Sequence, residues 1–191
     1  MNVHPLTPRR LAHLADLFGS NGTTTGCYCM YFIVQNREFG TGWRGGNRER
    51  FEEIVRTDDR PTGLLAYDNG TPIGWCAVGP RSRYTRIFRS PLWKERDTTE
   101  DDDVWLVPCF FTRRGSRGKG VTRELLQAAV DLAAKHGATA IEGMPRSDAG
   151  KVDPANAYLG FEALFADCGF TATRRPNERR VLMRRELEGR S

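Results

Sequence analysis

Arg117-Gly118-Lys119-Gly120-Val121-Thr122 lies where one hydrophobic period gives way to another, and its reading decides the fold. Ahead of it runs Val104-Trp105-Leu106-Val107-Pro108-Cys109-Phe110-Phe111, rich in the β-branched and aromatic residues of a strand. Behind it Val121, Leu125, Ala129 and Leu132 recur at the spacing of one helical face. Strand, glycine turn and helix therefore follow one another. Glycines let backbone N–H groups approach an anion without a Cβ in the way, and the first turn of a helix adds unpaired amides with partial positive charge. The stretch predicts a phosphate cradle that would suit a pyrophosphate.

Outward from this turn the elements fall into a mixed order. Val3 to Pro5 is a short candidate strand, and Pro8 behind Thr7 opens a helix with Leu11, Leu14, Leu17 and Phe18 on one face. Gly19 to Gly26 ends it. Residues 27 to 46 mix Tyr28, Tyr31, Phe32, Phe39 and Trp43 with glycines, as in a loop or broken helix that packs aromatics. Asn47 is placed to cap a second helix, whose buried stripe is Phe51, Ile54 and Val55. Gly63 to Tyr67 and Pro72 to Gly79 flank Asp68-Asn69-Gly70-Thr71, the pattern of a β-hairpin closed by Asn-Gly. Residues 80 to 103 form a polar stretch longer than an ordinary loop and are read as a pocket cover. A strand from Ala138 to Met144, a loop through Asp153, a helix near Asn156 to Asp167, and strands at Phe170 to Thr173 and Arg180 to Glu186 complete the chain.

Composition narrows the function classes. A chain of 191 residues normally makes one domain, here residues 1–191 with 80–103 as a long insertion. The hydrophobic share of 39% fits a globular protein, and no apolar run approaches the roughly 20 residues that span a bilayer. The first twenty residues lack a signal-peptide pattern, so a cytoplasmic location without a membrane is expected. Cys27, Cys29, Cys76, Cys109 and Cys168 are odd in number and scattered, hence read as reduced thiols used in packing or pocket lining. His4, His13 and His136 are isolated, His136 reading as a helix cap, and no metal is expected. Net charge is +5, with Arg113, Arg114, Arg117 and Lys119 gathered at the glycine turn. One anionic cofactor explains that density better than nucleic acid, because no helix-turn-helix, zinc-finger or RNA-binding signature occurs.

The Rossmann fingerprint is missing, and no Gly-Lys-Ser/Thr completes a Walker loop. The element order and the turn instead resemble the GNAT superfamily of acyltransferases. That family carries Arg/Gln-x-x-Gly-x-Gly/Ala after its fourth strand, matched here at Arg117 and Gly120 and departed from at Thr122. Gly169-Phe170 after Ala163-Leu164-Phe165 resembles its helix-to-strand ending. The resemblance implies one α/β domain with a mostly antiparallel mixed sheet, splayed between the fourth and fifth strands and flanked by helices. Pro108 agrees with a splay or bulge, since it cannot donate to a ladder. The resemblance further implies acetyl-CoA, or another acyl-CoA, as cosubstrate, held by Arg117, Gly118, Lys119, Gly120, Val121 and Thr122 at the pyrophosphate and by Phe110, Phe111 and Thr112 at the pantetheine.

The implied reaction moves an acyl group to a primary amine of a small molecule. A carrier-protein or tRNA-bound donor, and a CoA-binding module without activity, stay open as alternatives, and a homodimer is also left open. Glu142, inside the strand beside the splay, is the candidate base, with a salt-bridged strand carboxylate as its alternative; Asp103 competes from an exposed turn. The family's usual tyrosine acid is replaced by Phe165, so Tyr158 is the candidate acid for the leaving thiolate, or else packs against Phe161. Tyr28, Tyr31, Trp43 and Trp75, with the 80–103 segment, are expected to shape the acceptor pocket.

Overall fold

The computed structural model describes residues 1–19, 22–147 and 154–187. Its centre is a seven-stranded sheet formed by β1 (Asn2–Pro5), β2 (Gly63–Asp68), β3 (Thr71–Pro80), β4 (Val104–Thr112), β5 (Ala140–Gly143), β6 (Thr171–Asn177) and β7 (Arg180–Glu186). They lie in the order β1-β2-β3-β4-β5-β7-β6, antiparallel except for the central β4–β5 pair. The expected hairpin joins β2 to β3, with Asn69 and Gly70 at φ 47° and 81°. Part of the loop expected through Asp153, residues 148–153, lies outside the described residues.

Alternation along the strands gives the sheet two different faces. Leu64, Ala66, Cys76, Val78, Val107 and Phe110 face helix α5 (Val121–Lys135), which presents Val121, Leu125, Leu126 and Ala129 to them. Leu65, Trp75 and Ala77 face the other way, onto α1 (Leu11–Phe18) and α4 (Gly46–Thr57) through Leu14, Leu17, Phe18, Phe51 and Val55. Between α1 and α4 the chain makes two short helices, α2 (Gly22–Cys27) and α3 (Asn36–Thr41), with a 3₁₀ turn at Met30–Phe32. Asn47 does not cap α4, whose N-cap is Gly45. Its carboxamide is buried and donates to the carbonyls of Gly26 (2.8 Å) and Phe39 (3.1 Å), tying the helical segment together. His136 is the C-cap of α5, as expected. The single late helix expected from Asn156 is divided into a 3₁₀ stretch (Pro154–Leu159) and α6 (Glu162–Asp167), parted at Gly160, whose φ is +76°.

The β4–β5 ladder pairs Val104–Val107 with Ala140–Gly143 and stops at the residue before Pro108. On the opposite side, Ala77 faces Cys109 and Gly79 faces Leu106, so β4 carries an extra residue in a bulge at the proline. Beyond it β4 continues to Thr112 beside β3 alone, and the sheet opens as a wedge.

Residues 81–100 contain four 3₁₀ turns, and Tyr84, Ile87, Leu92 and Trp93 are buried from them against Leu106, Met144 and Leu182. The segment is held by a buried ion-pair network centred on Glu142. Arg81, 1% exposed, donates Nη1 to both Glu142 carboxylate oxygens (3.2 and 3.1 Å) and Nε to Asp101 (2.7 Å). Trp93 Nε1 (3.1 Å) and Arg184 Nη1 (3.2 Å) also donate to Glu142. Of the two readings of Glu142, candidate base and salt-bridged strand carboxylate, the network has the geometry of the second. Glu142 is the counter-ion that lets Arg81 be buried, and its acceptor positions are taken by three donors.

Removing one member of a buried pair leaves the other charge without compensation. Glu142→Gln should lower the free energy of unfolding in urea by about 3 kcal/mol, with Asp101 still facing Arg81. An unchanged urea midpoint would show that the network contributes nothing to stability.

Candidate functional site

The glycine turn is built as a cradle. Gly118 and Gly120 sit in the left-handed region at φ 74° and 77°, and Gly120 is the N-cap of α5. No heavy atom lies within 4 Å of a Cβ built at either position, so the space above the turn is open. The first amides of α5 have no acceptor within the helix and point to that space. Gly74 on β3 allows the helix to begin so close to the sheet, because a Cβ there would meet Val121 Cγ1 at 2.5 Å. Arg117 reaches back to the Thr112 carbonyl (3.4 Å), joining the turn to the end of β4.

A cavity of about 830 Å³ runs from this turn into the wedge. Arg117, Gly118, Gly120, Val121 and Thr122 line its mouth, and Cys109, Phe110, Phe111 and Thr112 line the flank of β4. Lys119 is exposed and does not line it. Farther in, Tyr28, Tyr31, Trp43 and Trp75 form the walls with Phe18, Phe32 and Phe39. The rings meet edge to face, as in Phe18–Tyr28 (5.1 Å between centroids) and Phe39–Trp43 (5.5 Å), which fixes the shape of the chamber. Residues 80–103, read as a long insertion or a pocket cover, are not among those that line it. Its nearest contribution is Arg86, whose guanidinium stacks 3.9 Å from the centroid of the Tyr31 ring.

Of the two catalytic candidates, Tyr158 lines the cavity and Glu142 does not. Burial pushes the Tyr158 hydroxyl up from its ordinary value, so it keeps its proton through neutral pH. Its ring packs on Phe32 (6.4 Å between centroids). Phe165 is fully buried, with ring atoms where a Cβ on Gly143 would stand, 2.1 Å from Cε1, so its position faces the core and not the cavity. Asp103 is exposed, as its acidic surroundings suggested.

What sequence reasoning missed is the company kept by three thiols. Cys27, Cys29 and Cys109 all line the cavity and all are free. Trp75 Nε1 donates to Cys29 Sγ at 3.3 Å, and Cys109 packs against the same cluster, its own thiol donating to the Phe110 carbonyl. Cys109 comes from β4 and Cys29 from the segment after α2, so no spacing in the sequence could signal the meeting. Among the described residues no group of three or more His, Cys, Asp or Glu side chains could hold a metal ion, and no helix is long and apolar enough to cross a membrane.

Solved structures share this architecture. A ribosomal-protein-alanine N-acetyltransferase from Brucella melitensis superposes with a TM-score of 0.57 at 16% identity, covering 98% of this chain and 100% of that one. The paia N-acetyltransferase from Thermoplasma acidophilum, in complex with coenzyme A, gives 0.55 at 14% identity, with 97% and 98% covered. The structure of yncA from Salmonella typhimurium, with its cofactor acetyl-CoA, gives 0.58 at 14% identity, with 100% and 95% covered. Identities this low show a common fold. No curated protein matches the chain. The family described as Acetyltransferase (GNAT) family matches residues 30–158, which include Tyr31, Trp43 and Trp75 of the chamber, the wedge and the glycine turn. With most of its length matched, and with a parallel β4–β5 pair opening beside that turn, the chain belongs to the GNAT acetyltransferase family.

Proposed function

We propose that the protein transfers an acetyl group from acetyl-CoA to the amine of a small aromatic or apolar molecule. The observation that carries this reading is one continuous cavity joining the glycine cradle, the unpaired flank of β4 and the aromatic chamber. The cradle fits a pyrophosphate: its glycines leave open space, and helix amides with Arg117 beside them supply positive potential. The free edge of β4 from Cys109 to Thr112 offers backbone groups to a pantetheine amide chain. Acetyl-CoA supplies the activated thioester; the protein supplies position, shelter from water and a proton.

The walls of the chamber are seven aromatic side chains, Phe18, Tyr28, Tyr31, Phe32, Phe39, Trp43 and Trp75, which favours a flat or apolar acceptor held by ring contacts. With Glu142 tied to arginines, the acceptor amine enters as the neutral form taken from solution. Tyr158 keeps its hydroxyl protonated and is the donor for the departing thiolate, in place of the buried Phe165. Accordingly kcat/KM should rise with pH up to the pKa of the acceptor amine and show no break from an enzyme carboxylate. A limb titrating near pH 4 to 6 that disappears in a carboxylate variant would contradict this, with the range set by ordinary carboxylate pKa values.

Gly120→Glu places a side chain on a backbone at φ +77° and a negative charge beside the phosphates. Acetyl-CoA affinity in calorimetry should weaken by at least about 100-fold, roughly 2.7 kcal/mol, with circular dichroism unchanged. Retained affinity would place the nucleotide elsewhere. Tyr158→Phe keeps the ring against Phe32 and removes the hydroxyl; kcat should fall about 10- to 100-fold with acetyl-CoA affinity unaltered. Full activity would remove Tyr158 from the chemistry.

A further inference from the structure

Arg86 stands at the aromatic chamber with its charge unanswered. Its guanidinium carbon lies 3.9 Å from the centroid of the Tyr31 ring and 5.4 Å from that of Phe39, and both rings line the cavity. Nη1 is buried and has no hydrogen-bond partner. Other arginines of this part of the chain are treated differently. Arg83 pairs with Asp58 at 2.8 Å and Arg50 with Glu38 at 3.4 Å, while Arg96, stacked on Phe88 at 3.6 Å, keeps Asp101 at 3.1 Å. Among the described residues Arg86 has no such carboxylate, and a desolvated guanidinium N–H without an acceptor carries its cost without return.

The position is fixed from both sides. Thr85 donates its hydroxyl to the Ile33 carbonyl (3.1 Å), and Ile87 is buried, so the 3₁₀ turn Thr85–Arg89 is pinned against the residues that follow Tyr31. Tyr31 is 42% exposed and forms the rim of the chamber, which places the guanidinium at its entrance. The charge is felt inside. Burial pushes the thiol of Cys27, a lining residue, up to about 11, and the cation that works against this is Arg86. Among the described lining residues there is no Asp or Glu, and the charged ones, Arg117 and Arg123, belong to the glycine turn and the start of α5.

We propose that Arg86 is a specificity-determining residue that binds a carboxylate of the acceptor, which is an aromatic amino acid. The inference rests on the aromatic-acceptor reading and deepens it. A planar fork held flat on a ring presents its edge to a carboxylate, which it matches in a bidentate contact. The acceptor's ring lies among the chamber's rings, its carboxylate sits at the rim beside Tyr31, and its amine is directed to the thioester. A polyamine or aminosugar, with further ammonium groups, meets no counter-ion on these walls and is repelled by Arg86.

The test uses the full chain and acceptors matched in ring but not in charge. Acetyl transfer to phenylalanine and tryptophan is compared with transfer to phenethylamine and tryptamine, which lack the carboxylate, with rates referred to the neutral amine. The wild type should favour the amino acids by about 10- to 100-fold in kcat/KM, the worth of one charge-assisted contact. Arg86→Gln should bring that ratio close to one through a raised KM for the amino acids, and Arg86→Lys should restore part of it. Hydrocinnamate, which has ring and carboxylate but no amine, should compete with the acceptor in the wild type and lose potency in Arg86→Gln. Equal kcat/KM for the two series, or a preference that survives Arg86→Gln, would overturn the proposal and leave an aromatic acceptor standing. Transfer to neither series, with acetyl-CoA still bound, would overturn the aromatic-acceptor reading as well and leave the cosubstrate intact. If Arg86→Gln fails to fold, the wild-type ratio, hydrocinnamate inhibition and Arg86→Lys decide.

Discussion

A missing hydrogen is the constraint on which the site depends. Pro108 has no N–H to give, and it stands where β4 would otherwise go on pairing with β5. The ladder ends at Val107, the extra residue of the bulge is absorbed against β3, and the next five residues of β4 run with one edge free. An open edge inside a sheet would ordinarily carry unpaired backbone groups at a cost. Here it faces a cavity, where an extended amide chain would satisfy the same groups. The glycine cradle is placed at the far end of that edge because β4 runs on through Arg117 into α5. One imino acid therefore sets both the width of the cleft and the line along which a long thioester can lie.

The segment between β3 and β4 serves this opening from behind. A wedge between two central strands weakens the sheet where it is most buried, and the far half, β5 with β7 and β6, needs another hold. Arg81, Trp93 and Arg184 supply it by converging on Glu142. Such a cluster is costly to desolvate, and its contribution lies in fixing one arrangement of the two halves. Charge has been spent on bracing, leaving the chamber itself to aromatic rings and thiols.

Local signals were legible and distant ones were not. Asn69-Gly70 announces its hairpin because positive φ is a property of those residues themselves, and Arg180–Glu186 reads as a strand around its short apolar run Val181-Leu182-Met183. Gly118 and Gly120 announce their left-handed turn for the same reason. Asn47 looks like a helix cap because that is what asparagine does next to a helix; its actual acceptors, Gly26 and Phe39, come from other elements. Glu142 shows the same limit. Its strand placement is visible, but Arg81 and Trp93 arrive from a segment whose short 3₁₀ turns leave no strong period. Cys29 and Cys109 meet only after the N-terminal helices have packed on the sheet. A sequence reading sees residues that act on their neighbours in the chain, and buried polar groups rarely do.

The packing of Phe165 on Gly143 closes this position to a polar group. Its Cε1 and Cζ atoms occupy the space a Cβ at Gly143 would claim, and Phe110 and Phe170 close on the ring edge to face. A hydroxyl restored at Cζ would enter this apolar nest, and an unsatisfied buried hydroxyl costs about 1–3 kcal/mol. Tyrosine at this position is thus not a neutral replacement.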